Sequence, residues 1–370
     1  MNRNEPGLAA ATELRIAVFH GDGIGPEVMA PTLSLLRRAC ESTGVSLALE
    51  DLPAGAGHYA AHGEALPPSA LDAARGADAI LLSAMGLPDV RYEDGTEISP
   101  QIELRMALGL YAGVRPVTVT VGQPCPLADP RAAGIDFVLV RESTEGLFHT
   151  HGRGQVFGDE AAEETLRITR ATSERLFEFA FDLAAQRREA GRGPGRVTCV
   201  DKANVFRAFA FFRRIFEERA ARRPDLAADA AYVDATALRM VERPWEFDVL
   251  VTENMFGDIL SDLGAGRMGG LGFAPSADIG ERHAVFQPCH GSAPDIAGRG
   301  VANPAAMILS GAMMLDWLGR RRAIPTLAGA GERLRRAVAT LIEDGGCRTR
   351  DMGGRCGTEA FASAVEARLG

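Results

Sequence analysis

An α/β fold is predicted by three features of this chain. Short apolar segments recur at the length of buried strands, among them residues 14–19, 79–82 and 248–251. Segments with helical apolar spacing lie between them. Polar residues close the apolar runs at their carboxyl ends, as at Arg141-Glu142, Asp201-Lys202, Asp234 and Glu253. Sheets of this class place ligands there.

The strand at 14–19 runs into the turn Gly21-Asp22-Gly23-Ile24-Gly25, and Pro26 opens a helix. This turn is not the GxGxxG fingerprint of dinucleotide binding, because its third glycine comes one place early. Residues 46–52 read as a strand, 71–75 as helix and 79–82 as a buried strand; 100–110 have helical spacing. A second set of strands begins at 114–121 and continues at 135–140. One long amphipathic helix is expected over 160–190, ended by the glycine-rich linker 191–195. Residues 196–200 form a strand, and Val205, Phe206, Phe209, Phe212, Ile215 and Phe216 mark the next helix. Strands follow at 231–233 and 248–251. Residues 1–13 read as a tail. A first domain takes 14–110 plus 268–370 and a second 111–267, with glycine-rich 264–272 as the returning hinge.

Composition narrows the function. The chain has 370 residues, 46% hydrophobic and 24% charged, enough for a sizeable core. A net charge of −9 without a basic run argues against a nucleic-acid partner. No 18-residue apolar run predicts a membrane span. The six cysteines form no CxxC pair; a chain this long requires no disulfide, and scattered cysteines fit a reducing cytoplasm. The first dozen residues lack the apolar region of a secretory leader.

Four groups of residues carry chemistry. Asp258 and Asp262 stand one helical turn apart and share a face. Paired carboxylates are costly to desolvate unless a hard cation such as Mg²⁺ or Mn²⁺ joins them; a solvated acidic face is the alternative. Arg105, Arg115 and Arg141 flank apolar segments and together could hold a dicarboxylate, while singly each reads as a surface charge. Lys202, beside Asp201 and Asn204, is a candidate proton shuttle or a strand-end surface lysine. His290-Gly291-Ser292-Ala293-Pro294-Asp295, followed by Asn303-Pro304, is a small-residue loop that a flat ligand can approach closely, or a plain turn. Asp295 could accept from a ribose diol and would repel a 2′-phosphate.

Taken together and in this order, these stretches resemble the β-decarboxylating dehydrogenases that act on isopropylmalate, isocitrate, homoisocitrate and tartrate or D-malate. The resemblance runs from about residue 14 through Asp351-Met352-Gly353-Gly354 and Thr358. It implies two α/β domains around a central sheet of mixed direction, distinct from a Rossmann fold, in a cytoplasmic homodimer with shared active sites. It implies that Arg105, Arg115 and Arg141 grip the malate carboxylates. Asp258 and Asp262, with Asp234 from the second subunit, would surround Mg²⁺ or Mn²⁺. Lys202, also supplied across the dimer, would shuttle the proton of the 2-hydroxyl. The His290 loop would hold the adenosine half of the cofactor. Asp295, where NADP-using relatives carry lysine, favours NAD, and Asn204 would lie near the nicotinamide.

The expected activity is NAD- and Mg²⁺/Mn²⁺-dependent oxidative decarboxylation of a 3-substituted malate, 3-isopropylmalate or a close analogue. The alternatives are a tartrate/D-malate or isocitrate/homoisocitrate enzyme, or a non-catalytic regulatory subunit. Three departures from the family pattern bear on this. Phe148 stands where a tyrosine acid is usual, which leaves the last proton to His149, His151 or water. Gln287 stands where relatives often show glutamate. Gln101 and Ile102 replace the leucines that meet an isopropyl group, with Ser99 nearby, so one wall of the pocket is partly polar.

Overall fold

The protein is described by a computed structural model over residues 12–369. Its strands are β1 (Thr12–Phe19), β2 (Val45–Asp51), β3 (Ala79–Leu82), β4 (Ala112–Thr118), β5 (Asp136–Glu142), β6 (Gln155–Phe157), β7 (Ala161–Glu163), β8 (Arg196–Asp201), β9 (Ala227–Tyr232), β10 (Val249–Thr252), β11 (Pro275–Ile279) and β12 (Ala284–Pro288). Ten of them form one sheet in the order β2-β1-β3-β12-β11-β4-β5-β10-β8-β9. Pairing is parallel from β2 to β12 and from β5 to β9, and antiparallel through β12-β11-β4-β5. The expected mixed α/β sheet is therefore present. Parallel strands need covered faces, which explains why β3, β10 and β12 are wholly apolar or buried runs. Helices Ala305–Arg321 and Pro325–Asp344 pack as a pair, and the first also lies against β11 and β12.

Several expected boundaries move. The helix expected from residue 160 does not begin there: residues 155–163 form the exposed hairpin β6–β7, turned at Gly158 with φ +60°. The helix starts only at Arg170, where the Thr169 hydroxyl accepts from the Thr172 amide at 3.4 Å. The Glu/Ala-rich run before it favours helix locally, but cross-strand pairing overrides that preference. Helix Arg207–Ala220 begins after Val205 and Phe206, which are exposed. The glycine-rich stretch from Gly264 is not a free hinge, since helix Asn254–Arg267 continues through Gly264 and Gly266. Cys347 and Cys356 form a disulfide with a Cα–Cα distance of 5.5 Å, against the expectation that none is needed. The other four cysteines are free. Among the described residues no helix is long and apolar enough to cross a membrane.

Candidate active site

The antiparallel centre of the sheet gathers the polar side chains. Register pairs Asp278 with Gly113 and Gly113 with Arg141, so these three positions share one face of the sheet. Arg115 lies two residues from Gly113, and Ser276 two from Asp278, so period-2 alternation keeps both on that face. Ser276 pairs with Gln287, which joins them. Gly113 carries no side chain between its neighbours.

Asp278 is the centre of this row. It is 2% exposed. It accepts from Nη2 of Arg105 at 3.2 Å, Nη2 of Arg115 at 3.1 Å and Nε2 of Gln287 at 2.8 Å. Burial would raise its pKa, but Arg105, Arg115 and Arg141 outweigh burial and hold it down at about 2. Helix Pro100–Leu108 delivers Arg105, whose Nε is buried without a partner. Arg115 also donates to the Ala277 carbonyl at 3.1 Å.

Arg141 closes the other side. Its Nε and Nη2 donate to Oδ1 of Asn254 at 3.1 and 2.7 Å, and its Nη1 donates to Asp258. Burial lowers the Arg141 pKa; Asp258 resists this while Arg105 and Arg115 reinforce it, giving about 10. Helix Asn254–Arg267 can lie this close only because of Gly257. A Cβ there would meet Arg141 Cγ at 2.6 Å. Glu253 caps the helix by accepting from the amides of Met255 and Phe256.

Asp258 and Asp262 project from this helix into one cleft of about 500 Å³. The same cleft is lined by Arg105, Arg115, Arg141, Gln101, Ile102, Ser99, His151, Gln287, His290 and Gly291. Burial and the neighbouring Asp258 raise the Asp262 pKa, against the pull of Arg141 and Arg115. Two neighbouring carboxylates in one cleft fit a hard cation. Among the described residues no three His, Cys, Asp or Glu side chains converge for a metal.

The small-residue loop borders the cleft. His290 Nε2 is buried without a partner, and burial lowers the His290 pKa. An orphaned ring nitrogen beside Gly291 fits a polar group of a bound cofactor. Asn303 donates to Asp351 at 2.8 Å and accepts from the Ala305 amide at 3.0 Å. Ser292, Ala293 and Pro294 follow, with Ala293 at φ +36°, and Asp295 is exposed. The glycine turn near residue 21 supports this loop: the Ile24 amide donates to the Ser292 carbonyl at 2.8 Å. Any Cβ on Gly23 would meet that carbonyl oxygen at 2.0 Å. Asp22 is spent on the amides of Ala56, Gly57 and Gly86, each at 2.8 Å.

Other expected residues lie elsewhere. Lys202 Nζ donates to Asp234 within the same chain, and this contact lowers the Asp234 pKa. Neither residue lines the cleft, and Asn204 is exposed outside it. Phe148 also stays outside, its ring 5.6 Å from that of His151, which does line the cleft. Sequence reasoning missed Asp278 and Asn254. A polar residue inside the otherwise small or apolar β11 was the available signal for the first. The second was hidden because its partner, Arg141, is 113 residues away.

The chain matches the family described as isocitrate/isopropylmalate dehydrogenase over residues 15–365. It is 40% identical over 356 residues to the 3-isopropylmalate/3-methylmalate dehydrogenase of Methanocaldococcus jannaschii, covering 96% of this chain and 98% of that protein. It is 41% identical over 371 residues to the 3-isopropylmalate dehydrogenase of Deinococcus radiodurans, covering 96% and 98% respectively. The crystal structure of isocitrate dehydrogenase from Methylococcus capsulatus superposes with a TM-score of 0.84 at 38% identity, over 96% of this chain and 99% of that one. A β-decarboxylating dehydrogenase from Thermococcus kodakarensis, in its apo form, gives a TM-score of 0.78 at 35% identity, covering 96% of each chain.

Proposed function

The chain belongs to the isocitrate/isopropylmalate dehydrogenase family, and from that premise we propose that it oxidises and decarboxylates a 3-substituted malate, 3-isopropylmalate or a close analogue, using NAD and Mg²⁺ or Mn²⁺. It is a decarboxylating dehydrogenase acting on a CH–OH group. The observation that carries the finer reading is one cleft lined by both Arg105, Arg115 and Arg141 and the Asp258/Asp262 pair.

In this reading the three guanidinium groups bind and orient the substrate carboxylates through forked hydrogen bonds. Asp258 and Asp262 hold the cation, with Asp234 of a second subunit. When bound, NAD would supply an acceptor for the C2 hydride, and the cation would supply a Lewis acid for charge on the C2 oxygen during decarboxylation. Lys202, from the second subunit, would first release its own proton to water and then take that of the hydroxyl, with Asp234 orienting its Nζ. His151 donates the last proton to C3, since Phe148 carries none. His290, Gly291, Ser292, Ala293, Pro294, Asp295, Asn303 and Asn204 take the cofactor.

A homodimer is part of the reading. Val205, Phe206, Leu238, Val241, Met255 and Ile259 are exposed apolar side chains near Lys202 and Asp234. The helices that carry the last four, Val233–Glu242 and Asn254–Arg267, pack together. Residues 14–110 with 268–370 would serve the cofactor, and 111–267 the metal and the dimer. The reading keeps the protein in the cytoplasm; the four free cysteines accord with that and the Cys347–Cys356 disulfide counts against it.

A second reading, tartrate or D-malate, is favoured by one feature: Oε1 of Gln101 is buried without a partner in the substrate cleft. The test is an NADH-formation screen with Mn²⁺ over isopropylmalate, D-malate, tartrate, isocitrate and homoisocitrate. Isopropylmalate is expected to give the highest kcat/KM. No NADH from any of the five would overturn the proposal.

A further inference from the structure

Asp278 is a carboxylate buried directly beneath two of the three arginines expected to meet the substrate. It has no protonation or metal role in the reaction outlined above, and it lines the sheet rather than the opening. Its effect on the cleft is to subtract one charge from the arginine group and to fix where two guanidinium groups point.

We infer that Asp278 is a positioning residue that sets the substrate's charge: it makes the cleft select a dianionic malate with an uncharged C3 substituent over a tricarboxylate. The charges facing the cleft carry this. Arg105, Arg115 and Arg141 are balanced by Asp278, Asp258 and Asp262. Lys202 and Asp234, if brought in by a second subunit, balance each other. Glu97, at the rim, already faces Arg91 at 3.5 Å. The protein groups therefore sum to zero, and a divalent cation leaves two positive charges for the substrate. A dianion neutralises them. A third carboxylate would enter a partly buried cleft, whose charged groups are already matched, without a counter-charge, which is costly. Were residue 278 neutral, one guanidinium would be free for that third carboxylate.

Gln287 belongs to the same device. Its amide donates to the outer oxygen of Asp278 at 2.8 Å, so the carboxylate and the amide form one hydrogen-bonded pair. Exchanging the two would keep the charge, the bond and the volume nearly constant.

This inference rests on the substrate class proposed above but is tested separately from it. Calorimetry with Mn²⁺ and without NAD reads the dissociation constants of isopropylmalate, a dianion, and isocitrate, a trianion. The unaltered protein is expected to bind isopropylmalate on the order of tenfold or more tighter, the scale of one unpaired charge a few ångströms away in a partly solvated cleft. Asp278→Asn is expected to move the ratio toward isocitrate by a similar factor. The exchange Asp278→Asn with Gln287→Glu is expected to restore it. A merely structural role would weaken both ligands alike and would not be rescued by the exchange. Equal binding of both ligands by the unaltered protein overturns the inference even if Asp278→Asn does not fold. An unchanged ratio in Asp278→Asn overturns it too. Should no malate reduce NAD while the binding ratio and its rescue hold, the proposed activity fails and the charge selection stands.

Discussion

Arg141 spends two of its donors on a single acceptor, Oδ1 of Asn254, at 3.1 and 2.7 Å. Asn254 is itself fixed, because its Nδ2 donates to the Glu145 carbonyl at 3.1 Å. The guanidinium is thus pinned before substrate arrives. Asn254→Ala should free it and raise KM for the malate by roughly 10- to 100-fold, in line with about 1.5–3 kcal/mol for hydrogen bonds to a charged group. kcat should fall less. Steady-state kinetics check this, and an unchanged KM would show that Asp258 alone aims Arg141.

His151 lines the cleft while Phe148 only touches its ring. His151→Ala should therefore lower kcat, on the order of tenfold, because water can partly substitute for a positioned acid. Adding Phe148→Tyr to that variant should recover part of the loss by restoring a phenolic donor. Unaltered turnover in His151→Ala would assign the proton to solvent.

Asp278 makes stability depend on pH in a defined direction. Its folded pKa, about 2, lies below the 3.8 of a free aspartate. A depressed carboxylate stabilises the fold above its unfolded pKa, and that contribution disappears as pH falls through the folded value. About 2 kcal/mol should be lost between roughly pH 4 and pH 2. Denaturant titrations of the unaltered protein and of Asp278→Asn across that range should converge at the acid end. Parallel curves would sink the assignment.

The apolar patch gives the fourth test. Ile259 is 62% exposed and Leu238 57%. A carboxylate at such a site is tolerated in a monomer but not in a buried interface. Ile259→Asp should leave the circular dichroism unchanged, convert dimer to monomer in sedimentation, and lower activity by about 100-fold or more, the expected scale of losing a catalytic lysine. A fully active monomer would rule out sites shared between subunits.

Much of the site was legible in order along the chain. Arg105, Arg115, Arg141, Asp258, Asp262, His290 and Gly291 all line one cleft. Local signals failed where pairing partners are distant. The second half of the hairpin at 155–163 is a Glu/Ala-rich run that favours helix alone, and the helix over 254–267 runs through glycines that read as a hinge.

The sequence by itself determined the α/β class, the family and the chemical inventory, because periodicity, composition and residue type are local properties. Only the tertiary structure decided which charges meet. Asp278 acquires its role from three successive antiparallel pairings, β12–β11, β11–β4 and β4–β5, whose register aligns it with Gly113 and Arg141. Lys202 and Asp234 fall outside the cleft for the same reason: β8 and β9 lie at the far edge of the sheet, so their ends face the surface where a second chain would have to dock. Electrostatics act through space, and the distances that set them appear only once the strands are ordered.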